Sequence, residues 1–306
     1  MNRREAVQLL STGLVAMTRP SAVFADHSQV STVPLTRPIP SSGERVPVIG
    51  LGTWQTFDVS GDATARLPLT EVLKAFAALG GKVIDSSPMY GRSENVVGDI
   101  MQAESLRSKL FVATKVWTTG EQSGITQMTD SLRKLRVNSV DLMQVHNLQD
   151  VDTHLATLNE WKREGRTRHI GVTHYTASSL DEVARVLVRH KVDTVQINYS
   201  IGEREAERRL LPLARERGVA VIINRPFASG SLLRRLISKP LPSWAGEIAC
   251  TSWAQVLLKF VVSHPAVTCA IPATSKVEHL RDNMKAGHGP MPDEQLRARI
   301  ASVIDG

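Results

Sequence analysis

Residues 45–306 are predicted to form a single α/β domain, a (β/α)8 TIM barrel, and three observations predict it. Short apolar segments rich in β-branched residues recur eight times, and helical patterns separate them. All but the last pair begin about 24 to 36 residues apart, which is the length of one strand and helix unit. The segments are nearly continuous apolar runs, as are the strands of a buried parallel sheet. Eight such units in one chain favour a closed barrel over an open sheet.

The predicted strands and helices follow one another along the chain. The strands are expected at 46–52, 82–87, 110–115, 141–146, 169–174, 193–198, 219–224 and 268–273. Residues 67–80 have apolar side chains at three- and four-residue steps and end on glycine, which predicts a helix. Residues 178–190 begin with serine and carry acids in the first turn, which predicts a serine-capped helix. Residues 225–252 form a longer insertion, expected where barrel loops shape binding sites.

The N-terminus differs in composition from the predicted barrel. Residues 1–25 carry Arg3 and Arg4, a short apolar run at 6–17 and small residues ending at Ala25. This layout predicts a twin-arginine signal peptide and export to a bacterial periplasm, with the twin-arginine machinery as a partner. The apolar run is too short to span a bilayer, so no stable membrane insertion is expected. A cytoplasmic protein with an N-terminal arm is the alternative. Residues 26–44 are interpreted as a lead-in segment that precedes the domain at 45–306.

Composition argues against several classes of function. The formal net charge is +7, yet the basic residues are scattered and form no long block interleaved with aromatic residues, so nucleic-acid binding is not expected. The two cysteines, Cys250 and Cys269, belong to no CxxC motif. No histidine cluster with metal-ligand spacing accompanies them. Neither a disulfide framework nor a metal site is therefore expected.

Ionisable residues stand at the ends of three consecutive predicted strands. Asp85 ends the second strand and Tyr90 follows it, Lys115 ends the third and His146 ends the fourth. Each has an ordinary explanation alone: a turn residue, a lysine that reaches solvent, or a core histidine. A barrel, however, brings these strand ends together, and four ionisable groups at one apolar mouth are costly unless they interact.

These four residue types suit the reduction of a carbonyl group. Hydride transfer to a carbonyl creates an alkoxide that must be protonated, and a tyrosine can donate that proton. A neighbouring ammonium is expected to lower the phenol pKa, so Lys115 would tune Tyr90 while Asp85 keeps Lys115 charged and in place. His146 would orient the substrate carbonyl and stabilise the developing charge.

Several segments together resemble the aldo-keto reductase family. The segment "VIDSSPMYGRSE" is similar to its Asp-x-x-x-x-Tyr-Gly segment, and "ATK" and "VH" match its lysine and histidine. "EGRTRHIGVTHYT", "QINYS" and "IPATSKVEHLRDN" resemble its fifth, sixth and eighth strand motifs. The family implies a barrel that uses NADPH, less often NADH, without a Rossmann fingerprint, and the sequence contains no G-x-G-x-x-G. NADP(H) is therefore the favoured cofactor, with NAD(H) as the alternative.

The resemblance also implies where the nucleotide binds. Thr173, His174 and Gln196 would hold the nicotinamide carboxamide, and Tyr199 would stack on its ring. The phosphates would lie along the loop that contains Arg225, Pro226, Phe227, Ser229 and Gly230. The adenosine end would be held by Thr274, Ser275, Lys276, Asp282 and Asn283. His174, His279 and Ala273 depart from residues common in the family, which leaves NADPH against NADH open.

Three tryptophans indicate an apolar pocket for a small-molecule carbonyl substrate. Trp54 and Trp117 follow the first and third strands, and Trp244 lies in the insertion, whereas Trp161 and Trp253 are assigned to helix packing. The leading function is an NAD(P)H-dependent reductase of aldehydes or ketones. One alternative is a redox-sensing barrel that binds nucleotide with little turnover. A metal-dependent hydrolase is the other, and its ligand set is not recognisable in this sequence.

Overall fold

The computed structural model describes residues 33–305. The predicted signal peptide at 1–25 and the first part of the lead-in segment, residues 26–32, therefore lie outside the described residues. Within them, the eight predicted strands form a parallel sheet in chain order. These strands are β3 (Leu51–Gly52), β4 (Val83–Asp85), β5 (Phe111–Val116), β6 (Val140–His146), β7 (Thr167–Thr173), β8 (Thr194–Asn198), β9 (Ala220–Asn224) and β10 (Val267–Ala270).

The sheet closes on itself between its first and last strands. Gly50 N donates to Ala270 O at 2.8 Å, and Gly52 forms a parallel bridge with Ala273. A Cβ atom at Gly50 would lie 2.8 Å from the carbonyl oxygen of Val83, so glycine is needed for this close approach. Closure confirms the predicted (β/α)8 barrel.

Helices surround the barrel. They are α1 (Ala63–Ala78), α2 (Ser93–Ala103), α3 (Glu121–Lys134), α4 (Val151–Arg163), α5 (Leu180–Arg189), α6 (Leu210–Glu216), α7 (Ser231–Leu236), α8 (Trp253–Ser263), α9 (Val277–Lys285) and α10 (Glu294–Asp305). Helix α1 begins four residues before the predicted segment, because Asp62 caps it by accepting from Ala65 N at 2.8 Å. The serine cap predicted for α5 is wrong: Ser179 occupies the N-cap position, but its hydroxyl contacts Thr176 instead of a helix N–H.

A β-hairpin at the amino end of the barrel was not anticipated from the sequence. Strand β1 (Thr36–Pro38) lies within the predicted lead-in segment and pairs antiparallel with β2 (Arg45–Pro47). The Arg37 guanidinium donates to the carbonyl oxygens of His264 and Val267, which precede and begin β10. These contacts attach the hairpin to the amino ends of the barrel strands, away from the predicted site.

The insertion between β9 and β10 contains α7, a short 3-10 helix (Ser243–Ile248) and the start of α8. Trp244, expected to line the substrate pocket, is buried in the hydrophobic core of this segment instead. Trp253, expected only to pack, lines the cavity described below. Among the described residues, no helix is long and apolar enough to span a bilayer.

Candidate active site

A cavity of about 810 Å³ opens at the carboxyl ends of the barrel strands. Its size suits a small-molecule site. Most of the residues predicted for the site line this cavity. They are Asp85, Tyr90, His146, Thr173, Gln196, Arg225, Pro226, Phe227, Ser229, Gly230, Thr274, Asp282, Asn283, Trp54 and Trp117.

An ion pair lies beneath the floor of the cavity. Lys115 Nζ donates to Asp85 Oδ2 at 2.6 Å and to the carbonyl oxygen of Ser86 at 2.7 Å. The other carboxylate oxygen, Asp85 Oδ1, accepts from the amides of Gln144 at 3.2 Å and Gln196 at 2.8 Å. Burial lowers the pKa of Lys115, but the charge of Asp85, the phenol of Tyr90 and the hydrogen bonds to both together outweigh burial, and the pKa is raised. The lysine therefore keeps its charge although it has no solvent exposure.

Tyr90 lies directly above this ion pair. The Nζ atom of Lys115 is 4.9 Å from the centre of the phenol ring. Burial raises the pKa of Tyr90 above its ordinary value of 10.0, and the charge of Asp85 adds to this, whereas Lys115 acts in the opposite direction. Lys115 thus lowers the pKa of Tyr90 as predicted, but its effect is smaller than that of burial, and the net pKa is raised. Tyr90 remains a protonated phenol at neutral pH.

The loop that presents Tyr90 is held by the residue after it. Gly91 has φ +57°, in the left-handed region that favours glycine. A Cβ atom there would lie 2.3 Å from the carboxylate of Asp58, whose Oδ1 accepts from Arg92 N at 2.9 Å. Glycine therefore lets Asp58 approach the backbone and anchor the turn that carries the tyrosine.

His146 is the third side chain on this wall of the cavity. Its ring stands edge-on to the ring of Tyr90, and the two ring centres are 6.1 Å apart. The distance from its ring centre to that of Trp117 is 6.4 Å. Its Nδ1 atom lies 3.2 Å from the hydroxyl oxygen of Ser87. Burial lowers the pKa of His146 to about 3, and the charge of Lys115 adds to the shift. The imidazole is therefore neutral at physiological pH.

The loop after β9 forms another wall of the cavity. Arg225 has φ +50°, its Nε donates to Ser229 Oγ at 2.9 Å and its Nη1 to the carbonyl oxygen of Tyr175 at 3.0 Å. Its guanidinium carbon is 5.8 Å from the centre of the Tyr175 ring. A fixed positive charge thus faces the cavity from this loop, and Gly230, with φ +83°, begins the turn into α7.

Residues after β10 form the far end of the cavity. Thr274, His279 and Asn283 line it, whereas Ser275 and Lys276, also predicted for nucleotide binding, are exposed and do not. Asp282 lines it as well, but Ser252 Oγ and Gln255 Nε2 both donate to its carboxylate at 2.6 Å. Asp282 therefore joins α9 to the start of α8.

Besides Ser275 and Lys276, two more of the predicted cofactor residues, Tyr199 and His174, do not line the cavity. Tyr199 is fully buried in the helical layer outside the barrel, where it stacks on Phe260 with ring centres 6.2 Å apart. The prediction that it stacks on a nicotinamide is therefore wrong. His174 uses its Nδ1 to accept from the backbone of Tyr175 at 3.0 Å. Its side chain is thus engaged by its own loop, while Thr173 and Gln196 remain at the cavity.

Sequence reasoning missed several residues of this site. Ser87 and Gln144 bond to predicted residues, and Asn224, Tyr175 and Trp253 line the cavity. Strand geometry offered a signal for two of them. Gln144 lies two residues before His146 and so on the same face of β6, and Asn224 ends β9 as His146 ends β6.

Among the described residues, no group of three or more His, Cys, Asp or Glu side chains could hold a metal ion. A second hollow, of about 480 Å³, lies on the outer surface near His264 and Arg215. It is remote from the ionisable residues at the strand ends, so the larger cavity carries the candidate site.

Comparisons with known proteins agree with this geometry. The chain is 30% identical to the methylglyoxal reductase YeaE of Escherichia coli K12 over 245 residues, which cover 78% of this chain and 84% of that protein. It is 26% identical to the methylglyoxal reductase DkgB of Escherichia coli O157:H7, covering 84% and 92% of the two chains. An aldo-keto reductase of Klebsiella pneumoniae, solved with NADPH, superposes with a TM-score of 0.74 at 26% identity, covering 89% and 95%. The model of the aldo/keto reductase family matches residues 48–304, and this chain belongs to that family.

Proposed function

We propose that this protein is an NADP(H)-dependent reductase of small-molecule aldehydes or ketones, with Tyr90 as the general acid. The observation that carries the proposal is the wall of the cavity on which Tyr90 and His146 face the interior above the Lys115–Asp85 pair. The names of the methylglyoxal reductases and the NADPH complex of the Klebsiella relative support this reaction and this cofactor.

The residues of the cavity fit a nicotinamide dinucleotide. Asn224 lines the cavity, and its buried Oδ1 has no hydrogen-bond partner within residues 33–305. Thr173 and Asn224 would hold the polar carboxamide, the loop from Arg225 to Gly230 the phosphates, and Thr274 and Asn283 the adenosine. The bound dinucleotide supplies the hydride.

Tyr90 supplies the proton in this proposal. Because its pKa is raised, the phenol stays protonated at neutral pH and is available as a donor. When it gives up the proton to the alkoxide oxygen, the fixed charge of Lys115 stabilises the phenolate that remains. Asp85 contributes indirectly, because it holds the ammonium in place beneath the ring.

His146 and the tryptophans act on the carbonyl substrate. A neutral imidazole carries one N–H, which donates a hydrogen bond to the carbonyl oxygen without competing with Tyr90 for protonation. Trp54 and Trp117 are 48% and 38% exposed at the mouth, so a substrate that covers them gains from burial of apolar surface. This arrangement favours carbonyl compounds with an apolar portion.

The experiment that tests the proposal measures nucleotide binding and turnover with the purified chain. Fluorescence quenching with NADPH and NADH in parallel is expected to show saturable binding, tighter for NADPH. NADPH oxidation is then followed with methylglyoxal and with 4-nitrobenzaldehyde, and steady turnover is expected with at least one. Binding without any steady-state turnover of either would contradict the reductase and favour a nucleotide-sensing protein.

A further inference from the structure

Ser87 lies behind His146, on the side of the ring away from the cavity. It is fully buried, two residues after Asp85, and it does not line the cavity. Its hydroxyl oxygen is 3.2 Å from His146 Nδ1, and within residues 33–305 this is the one hydrogen bond of the imidazole. The same oxygen accepts from the backbone N–H of Met89 at 3.3 Å.

The contacts of Ser87 favour one of the two neutral tautomers of the imidazole. A serine hydroxyl has one proton to donate and two lone pairs. The Met89 N–H occupies one lone pair, and within residues 33–305 the one acceptor in contact with the buried hydroxyl is Nδ1 of His146. Donation to Nδ1 therefore satisfies the hydroxyl proton, whereas acceptance from Nδ1 would leave that proton buried without a partner. Nδ1 then accepts, and a neutral ring must carry its own proton on the opposite nitrogen, Nε2.

The charge of Lys115 makes this choice of tautomer matter. Burial and that charge keep the ring of His146 neutral, so only one of its nitrogens can be a donor. The opposite tautomer would direct the lone pair of Nε2 towards the substrate. A lone pair repels a carbonyl oxygen, whereas an N–H polarises it.

We propose that Ser87 is a positioning residue that fixes His146 in the Nε2–H tautomer, so that an N–H donor faces the substrate carbonyl. The proposal rests on the reductase function proposed above, and it adds a residue that has no contact with the substrate. Ser87 acts only through His146, and this dependence can be measured.

The first test reads the tautomer directly and requires no turnover. Nitrogen-15 NMR of histidine-labelled protein, with His146→Gln to identify the signals, is expected to show His146 protonated at Nε2. Ser87→Ala should shift the two ring signals towards a mixture of tautomers. Ser93→Ala removes another buried serine hydroxyl, which contacts Thr53, and should leave the ring signals unchanged. A wild-type ring protonated at Nδ1, or signals indifferent to Ser87→Ala, would overturn the proposal.

The second test separates positioning from simple packing. With NADPH and whichever of methylglyoxal and 4-nitrobenzaldehyde the wild type reduces, Ser87→Ala is expected to lower kcat about tenfold, the effect of one hydrogen bond, and to leave KM for NADPH within about twofold. In the His146→Gln background the same substitution should have no further effect on kcat. Equal losses in both backgrounds would show a structural role and refute the proposal. If the wild type reduces neither compound, the reductase proposal fails, while the NMR result still decides the tautomer.

Discussion

Two tyrosines of this protein are each surrounded by a cation and a carboxylate, yet only one faces the cavity. Tyr90 stands above Lys115 and Asp85 at the carboxyl end of the barrel. Tyr199 lies in the helical layer, where Arg297 Nη2 donates to its hydroxyl at 2.8 Å. A phenol, a cation and a carboxylate thus occur together around each tyrosine, but the hydrogen bonds among them differ.

Around Tyr199, in the helical layer, the phenol itself is hydrogen-bonded to the carboxylate. Tyr199 donates its hydroxyl proton to Glu207 Oε1, which also accepts from Arg297 at 3.1 Å. Burial raises the pKa of Tyr199 far above its ordinary value, and the hydrogen bond to Glu207 holds the proton further. This tyrosine is therefore a structural link whose proton is not available for transfer.

Around Tyr90, by contrast, the carboxylate does not bond to the phenol. Lys115 and two glutamine amides occupy both oxygens of Asp85, so Tyr90 is left with its hydroxyl at the cavity. The comparison indicates that a nearby cation alone does not suit a tyrosine to the role proposed for Tyr90. What differs is access to the cavity and a carboxylate that does not accept the proton of the phenol.

The largest expected effect is on turnover. Tyr90→Phe removes the proposed proton donor and should lower kcat by about 10²–10⁴-fold, while NADPH binding by fluorescence quenching persists. Tyr199→Phe is the matched control, because it removes a tyrosine hydroxyl outside the cavity, and its kcat should stay within about threefold of the wild type. Equal turnover in Tyr90→Phe and wild type would refute the role of Tyr90.

A second pair of variants compares the two carboxylates. Asp85→Asn leaves the ammonium of Lys115 buried without a counter-ion, which should cost about 3–5 kcal/mol of the free energy of unfolding. Glu207→Gln retains an acceptor for Tyr199 and Arg297 at a half-exposed position, so its cost should stay below about 1 kcal/mol. Urea denaturation measures both. Equal stability of the two variants would mean that Asp85 is not needed to hold the charge of Lys115.

The kcat of Asp85→Asn tests the role of the ion pair independently of stability. An amide in place of the Asp85 carboxylate would leave Lys115 with a lower pKa and a less fixed position, so kcat should fall at least about tenfold in Asp85→Asn. Glu207→Gln should turn over at the wild-type rate. A fully active Asp85→Asn enzyme would contradict the proposed support of Tyr90 by the ion pair.

The two tyrosines also show what the sequence could predict. Strands with a regular spacing predicted the barrel, and a barrel places Asp85, Lys115 and His146 at adjacent strand ends whatever their side chains do. Tyr199 also follows a strand, but the chain has already left the barrel end there, and its ring turns towards Phe260. The course of the chain after the last strand residue depends on packing between elements that are distant in sequence. The local spacing of residues carries no information on that packing.

The positions of two tryptophans, Trp244 and Trp253, also could not be predicted from local sequence. Residues 225–252 were expected to form a longer insertion that places Trp244 at the pocket, yet Trp244 is buried and Trp253, in the helix that follows, reaches the cavity. Trp253 is fixed there because its indole nitrogen donates to the carbonyl oxygen of Lys239 at 2.8 Å. Such a contact between the insertion and the helix that follows it has no periodicity, so no pattern in the sequence could predict it.

A smaller effect is expected on stability when the hydroxyls are removed. Tyr199→Phe leaves Glu207 and Arg297 without the buried hydroxyl that both of them contact, which should cost about 1–3 kcal/mol of the free energy of unfolding. Tyr90→Phe removes a hydroxyl that faces the cavity, so the cost should be below about 1 kcal/mol. Urea midpoints of the two variants test this order. The reverse order would mean that Tyr90, and not Tyr199, is the structural tyrosine.

The smallest expected effect is the response of turnover to pH. Because the pKa of His146 lies at about 3 and that of Tyr90 above 10.0, neither group changes its charge between about pH 5 and pH 9. In the reductive direction, kcat/KM for the carbonyl substrate should therefore vary by less than about twofold over this range, with no inflection near the ordinary histidine pKa of about 6.5. An inflection there that disappears in His146→Gln would show a charged imidazole in the cavity. It would also contradict the neutral, donating form of His146 on which the roles of both Tyr90 and Ser87 depend.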